Sequence, residues 1–193
     1  MTLDCLLPPP LLRRIINALD HCSLTVYQKV MYKNMSSLAF AAFLLVEELS
    51  VSNGNTANVL KLMDVMPSHD TGGLKLVFQN FKHCQGRPAC VDIARQNDAH
   101  CPVQSLLTYL GKRASFKSEF LYCWPNGQPV SRRAFAQTLS TAVIHAGLNS
   151  TIYTAHSFQI GAACHAVSLG YSDAKIREKG RWQFDPFKRY ICK

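Results

Sequence analysis

Cysteine and histidine are the side chains of this sequence that most readily suggest metal chemistry. The 193 residues include eight cysteines and seven histidines, and His83-Cys84, Cys90 and His100-Cys101 follow one another closely. A structural zinc site commonly takes its thiolates from a pair with the spacing Cys-x-x-Cys. No such pair occurs in the sequence. The spacing therefore predicts small buried thiols rather than a zinc centre, and we expect neither a metal nor another cofactor.

Basic side chains are the second group with a chemical meaning. The sequence holds 21 Lys+Arg against 12 Asp+Glu, which gives a formal net charge of +9. Such an excess favours a polyanionic partner, because lysine and arginine neutralise phosphates. Each basic cluster is also typical of an ordinary solvated helix face. The clusters lie in the second half of the chain: Arg132-Arg133; Lys175, Arg177 and Lys179; and Lys188-Arg189.

The elements that must position these side chains are mostly helical. The apolar fraction of 48% excludes a disordered basic tail, and no apolar run is long enough to span a membrane. The N-terminal residues do not resemble a secretory signal, so we expect an intracellular chain without disulfides. Periodicity and capping predict helices over 11–19, 26–33, 35–49, 102–110, 131–146, 156–169 and 173–180, with a last turn of helix from 185.

Two further predictions concern the interior and the strands. The helix over 35–49 is apolar around nearly its whole circumference, which is typical of a helix in the centre of a domain. Residues 74–78 and 89–93 alternate and predict a β-hairpin with a polar tip that contains Lys82, whereas 56–73 indicate no particular element. The sequence therefore predicts one domain over 1–193, mainly α with a small antiparallel β-hairpin or sheet.

Four segments then resemble one family in the order in which that family carries them. Residues 154–163 read Thr-Ala-His-Ser-Phe-Gln-Ile-Gly-Ala-Ala and resemble the His-Ser-Phe-Arg-Ile-Gly-Ala-Ala box of tyrosine recombinases, in the form found in eukaryotic mobile elements. Gly180-Arg181-Trp182 and residues 187–191 resemble the Gly-Arg-Trp and Arg-Tyr-Ile segments of the same family. Residues 41–49 and the start of the helix at Cys101-Pro102-Val103 also match in kind. The resemblance covers about residues 11–193 and implies the catalytic-domain fold of that family, without its separate N-terminal DNA-clamp domain.

The resemblance implies a role for each matching residue. Tyr190 takes the place of the nucleophile, whose hydroxyl attacks a DNA phosphodiester and leaves a 3′-phosphotyrosine and a free 5′-hydroxyl. Lys82 takes the place of the acid that protonates the leaving oxygen, and His156 matches the histidine of the box. The family's His/Trp position falls on Arg181 by counting back from Tyr190, or on Trp182 by side-chain type, and both assignments stay open.

Two positions depart from the family pattern. Two arginines of the family clamp the phosphate with paired donors, and their places hold Leu45 and Gln159 in this sequence. The loss of one preorganised donor costs about 2.7–4 kcal/mol, which is on the order of 10²–10³ in rate. Neighbouring cations are candidate substitutes, namely Lys75, Arg87, Arg95, Arg177 and Arg181. We expect cleavage chemistry to be impaired.

The sequence therefore predicts a degenerate recombinase domain of a mobile element, a pseudoenzyme that binds DNA weakly through the phosphate backbone. The basic clusters named above are its predicted DNA contacts, and it is expected to lie in the nucleus and to form homo-oligomers on DNA without contacting a membrane. Two alternatives remain. The chain is an active strand-transferase that uses Tyr190, Lys82 and His156, or it is an interaction scaffold or decaying reading frame without a DNA role.

Overall fold

The computed structural model describes residues 7–80, 88–184 and 188 of the chain. Seven α-helices and three strands are present in these ranges. The helices are α1 (Pro9–Ala18), α2 (Val26–Ala41), α3 (Val46–Leu49), α4 (Pro102–Arg113), α5 (Arg132–His145), α6 (Ala155–Ser168) and α7 (Asp173–Gly180), and the strands are β1 (Val65–Ser68), β2 (Gly73–Phe78) and β3 (Ala89–Ile93). The prediction of a mainly α fold with a small antiparallel sheet is confirmed. No helix in the described ranges is both long and apolar enough to cross a membrane.

Helix α2 forms the centre of the helical body. It begins with a capping box in which the Gln28 backbone N–H donates to the Thr25 hydroxyl and the Thr25 N–H donates to the Gln28 side chain. Its buried residues pack against α1, α4 and α6. The fully buried Asn34 fixes α2 to its surroundings, because its amide donates to the Pro102 carbonyl at 3.1 Å and its oxygen accepts from the Tyr122 hydroxyl at 2.6 Å.

The central helix begins where the sequence predicts it but differs from the prediction in its middle and at its C-terminal end. Helices over 26–33 and 35–49 were expected, but a single helix runs from Val26 across residue 34 and ends at Ala41. The expected continuation to residue 49 is wrong, because the chain turns at Phe43 and only Val46–Leu49 are helical again. The apolar residues around the turn are buried in either conformation, so hydrophobic periodicity does not distinguish a helix from this turn.

The sheet has the order β1-β2-β3 and is antiparallel throughout. The predicted hairpin over 74–78 and 89–93 is confirmed as β2 and β3, and β1 is an additional strand from the segment that indicated no element. Alternate residues of β2 are buried, as expected for a sheet with one face on the core. Gly73 is required where β2 begins, because a Cβ there would overlap the carbonyl oxygen of Ile93 on β3.

The five described cysteines form no disulfide, and four of them are buried, with Cys90 exposed. No group of three or more His, Cys, Asp or Glu side chains suited to a metal ion occurs among the residues that the structure describes. The predicted helical turn from 185 and the residues His83, Cys84 and Arg87 lie outside the described ranges.

Candidate functional site

The turn that follows α2 is the centre of the candidate site. The Leu44 N–H donates to the Ala39 carbonyl at 2.8 Å and the Phe43 N–H donates to the Phe40 carbonyl at 3.4 Å, which is the Schellman pattern of a helix end. Phe43 has φ of 55°, the left-handed conformation that glycine normally provides there. This conformation costs a non-glycine residue about 1–2 kcal/mol. Contacts from other segments must therefore hold the turn.

Leu45 lies at the end of this turn, immediately before α3. Its backbone N–H donates to Oε2 of Glu48 at 2.7 Å, so the carboxylate caps the short helix. The Leu45 side chain is half-buried and carries no donor. The resemblance assigns the first phosphate-binding arginine to this position. In this chain the position lies in the turn and carries the aliphatic side chain of leucine.

Arg181 ends α7 in the same way that Phe43 ends α2. Its φ is 55°, and the Trp182 N–H donates back to the Arg177 carbonyl at 3.0 Å. Its guanidinium then reaches the end of α2, where Nη1 donates to the Ala42 carbonyl at 3.2 Å and Nη2 to the Phe43 carbonyl at 3.4 Å. Carbonyls at a helix C-terminus lack helical donors and carry a partial negative charge, so a cation there is stabilising.

A buried ion pair completes the contacts of Arg181. Its Nη2 lies 3.0 Å from Oε1 and 2.8 Å from Oε2 of Glu48, and the two side chains are 4% and 3% exposed. The guanidinium carbon lies 4.1 Å from the centre of the Phe78 ring. Burial raises the pKa of the Glu48 carboxyl, and the charge of Arg181 partly offsets that rise. The pair joins α3, α7 and the end of β2.

Gln159 and Trp182 contact the same turn. The Gln159 side chain is buried on α6 and its Nε2 donates to the Phe43 carbonyl at 3.2 Å. The half-buried ring of Trp182 packs edge-on against the Phe43 ring at 6.3 Å between centroids. Positions 45, 159, 181 and 182 therefore meet around Phe43, although the hydrogen-bonded partners are 116 to 139 residues apart in the sequence.

Of the other residues predicted for catalysis, His156 is described on α6 and the rest lie outside the residues that the structure describes. His156 is exposed in the first turn of α6, where partial desolvation of its charged form lowers its pKa below the usual histidine value. Lys82, Arg189 and Tyr190 lie outside the described residues, so their predicted roles stay predictions. Phe78, which contacts Arg181, precedes Lys82 by four residues in the sequence.

The hydrogen bonds limit what the described part of this site can do chemically. Both the Gln159 amide and the Arg181 guanidinium donate to acceptors of the protein itself. The proposed substitutes are also engaged where they are described. Lys75 lies 3.9 Å from the Asp92 carboxylate and Arg95 donates to Gln104 at 2.6 Å. The arrangement is suited to holding the turn in place, with Arg181 as its cation.

The predicted DNA-contact residues lie on two helices and near the chain end. Arg132 and Arg133 are exposed in the first turn of α5, which contains no acidic residue. Acidic side chains accompany the other two clusters, because Lys175 pairs with Glu178 at 2.9 Å and Lys188 pairs with Asp173 at 2.7 Å. Lys179 lies 5.9 Å from the centre of the Tyr171 ring. Arg177 is half-buried on α7.

Sequence reasoning missed three residues that organise the site. The sequence predicts Phe43 and Glu48 within one helix, in the segment that resembles the family, and Phe78 within a strand, but it predicts no contact among them. One signal was present for Glu48, since a carboxylate inside an apolar segment needs a buried partner. The sequence carried no comparable signal for the left-handed turn at Phe43, where glycine or asparagine is expected.

Comparisons with known proteins bear on the fold. No protein-family model and no curated protein matches the sequence. Solved structures do match. A post-cleavage complex of the XerH site-specific recombinase with its palindromic difH substrate has a TM-score of 0.71 at 14% identity. The XerA recombinase has a TM-score of 0.70 at 17% identity, and a lambda integrase dimer bound to a COC′ core site has 0.66 at 15%.

Each of these matches covers a larger share of this chain than of the solved structure. The alignments cover 98%, 95% and 96% of this chain but only 49%, 58% and 47% of the XerH, XerA and lambda integrase chains. This chain therefore spans about half the length of the structures that it matches. At these identities the likeness concerns the fold. The chain has the fold of the corresponding half of the tyrosine recombinases and integrases.

Proposed function

We propose that this chain is a DNA-binding, tyrosine-recombinase-like domain, derived from a mobile element, with impaired cleavage chemistry. The observation that carries the proposal is the fold match over nearly the whole chain to recombinases, several of which were solved in complex with DNA. The net charge of +9 has the sign that a DNA partner requires. We also propose a nuclear location, as expected of a DNA-binding domain from a eukaryotic mobile element, and localisation of a fluorescent fusion would test it.

DNA contact is expected to be weak and mostly to phosphates. Arg132 and Arg133 favour such contact because they are exposed at the positive end of α5 without an acidic residue in the first turn, and an anion there is stabilising. The acidic partners of Lys175 and Lys188 weaken the positive potential of the other two clusters. The chain also matches only half of each relative, so contacts made by the other half are not provided by the matched region.

Impaired chemistry is supported by the side chains at the two arginine positions. Leu45 has no donor, and Gln159 directs its amide to the Phe43 carbonyl. Among the described residues Arg181 is the cation that contacts the turn between these two positions, and Glu48 balances its charge. A transition state with charge on the phosphate oxygens thus lacks the paired cationic donors that the chemistry uses. Of the two residues at the open position, Trp182 is the one we favour for the His/Trp place, because Arg181 is engaged with Glu48.

Binding is tested with a fluorescent DNA duplex and the full chain over 50 to 300 mM salt. We expect anisotropy to report an affinity that falls steeply with salt, with a slope of about 0.9 per phosphate contact on logarithmic axes. Arg132→Ala/Arg133→Ala is expected to weaken binding and reduce the slope. An affinity that does not change over this range contradicts the proposal and favours the alternative of an interaction scaffold or decaying reading frame.

Catalysis is tested by covalent capture of nicked DNA that carries a 5′-phosphorothiolate, with Tyr190→Phe as control. The unaltered chain is expected to give no band above that control. An Arg-restored variant, Leu45→Arg/Gln159→Arg, is expected to give one if those positions are the deficit. Efficient capture by the unaltered chain contradicts impairment and favours an active strand-transferase.

The lambda integrase neighbours include a dimer on a core site and a tetramer on a Holliday junction, so we propose that this domain also assembles on DNA.

A further inference from the structure

Within the part of the chain that the structure describes, the basic helix α7 makes few apolar contacts with other elements. Only Ile176 and Gly180 of its eight residues are buried, and Ile176 belongs to a small apolar cluster with Phe43, Ala162, Ala163 and Ala166 that is separate from the main core. A single buried aliphatic side chain contributes about 1.5–3 kcal/mol, which is little for holding a charged helix in place. A second attachment is therefore needed.

Arg181 provides that attachment at the end of the helix. Its backbone ends α7, its Nη1 donates to the Lys179 carbonyl of the same helix, and its other contacts reach Ala42, Phe43 and Glu48 on the helical body. The two left-handed helix ends, at Phe43 and Arg181, thus stabilise each other through one guanidinium. The planar fork of arginine is suited to these bonds, which a single ammonium group does not reproduce.

We propose that Arg181 is a positioning residue for DNA binding, which through Glu48 and the end of α2 holds α7 so that Lys175 and Lys179, one helical turn apart on the same side of α7, face the phosphate backbone. The inference rests on the proposed DNA-binding function and adds the device that fixes one of its contact surfaces. Arg181 itself does not contact DNA, because its side chain is 4% exposed and directed to acceptors of the protein. Its removal therefore acts on binding through α7.

The test is a cycle of variants in which duplex affinity and its salt slope are measured by anisotropy. Arg181→Met is expected to reduce the slope toward that of Lys175→Ala/Lys179→Ala, a reduction of up to about 1.8 for two phosphate contacts. In the background of that double variant Arg181→Met is expected to have no further effect. With Arg132→Ala/Arg133→Ala its effect is expected to be additive, because α5 does not depend on Arg181.

Controls separate positioning from charge and from folding. Lys112→Met removes one exposed charge of α4 and is expected to change the slope less than Arg181→Met. Hydrogen exchange is expected to show faster exchange of α7 amides in Arg181→Met, with α5 unchanged. Arg181→Lys keeps the positive charge but lacks the paired donors of the guanidinium. We expect α7 amides to exchange faster in this variant than in the unaltered chain, but by less than in Arg181→Met. This variant preserves the test if Arg181→Met does not fold.

Three results overturn the inference. The first is an equal effect of Arg181→Met with and without Lys175 and Lys179. The second is a slope that matches the Lys112→Met control. The third is unchanged protection of the α7 amides in both Arg181 variants. If the unaltered chain binds no DNA, the proposed function fails and so does the link to DNA, whereas the exchange of α7 still decides whether Arg181 anchors the helix.

Discussion

At the scale of single residues, the site is organised by a carbonyl and a carboxylate rather than by a cation that is open to DNA. The Phe43 carbonyl accepts from both Gln159 and Arg181, and Glu48 accepts from both Leu45 and Arg181. Each acceptor thus joins the turn after α2 to a distant segment. The left-handed conformation of Phe43 persists because these bonds determine the geometry of the turn.

The Glu48–Arg181 pair is predicted to dominate local stability. Glu48→Gln leaves a buried guanidinium without its counter-charge, so we expect the free energy of unfolding to fall by about 3–5 kcal/mol in urea denaturation. Glu178→Gln is the matched control, since its partner Lys175 is half-exposed and the loss is expected to stay below about 0.5 kcal/mol. Similar losses for the two variants would show that the buried pair contributes no more than a surface pair.

At the scale of elements, the strands and most helices follow from the sequence, and the exceptions have physical causes. Alternation identified β2 and β3 because one face of the sheet is buried. The prediction of a helix over 35–49 was wrong because the turn within it is as apolar as the helix itself. Strand β1 was not predicted because its two central residues, a methionine and a proline, are both exposed and give no alternation. The resemblance identified positions 45 and 159. It did not identify the contacts of Arg181, because these depend on the direction of its side chain in the folded chain.

Two glycines provide a test of the element boundaries. Gly73→Ala places a Cβ against the Ile93 carbonyl, so the β2–β3 pairing must shift, and we expect a loss of about 1–3 kcal/mol in the free energy of unfolding. Gly111→Ala is the control on α4, where a Cβ meets no atom within 4 Å. It is expected to raise stability by about 0.5–1 kcal/mol. Equal effects of the two substitutions in thermal or urea unfolding would contradict the described register.

At the scale of the whole molecule, α6 connects the main core to the site. Phe158 on α6 belongs to the main core, Gln159 reaches the turn at Phe43, and Ala162, Ala163 and Ala166 form the small cluster that receives α7. Small residues allow α2 and α7 to approach this helix closely. His165 lies on the same helix, with its ring 6.0 Å from that of Phe40 on α2. Because burial in this contact disfavours the charged imidazole, the protonation of His165 is coupled to the packing of α6 against α2.

Stability is predicted to depend on pH through His165. Partial burial lowers its pKa in the folded state, so between that value and the ordinary histidine value near 6.5 the unfolded chain binds more protons. The contribution of His165 is therefore fully present above about pH 6.5 and is lost as the pH falls. We expect the difference in unfolding free energy between the unaltered chain and His165→Gln to decrease from pH 7.5 to 5.5 in urea titrations. The exposed His145 on α5 supplies the matched variant, His145→Gln, and a larger pH-dependent difference for it than for His165→Gln would contradict the prediction.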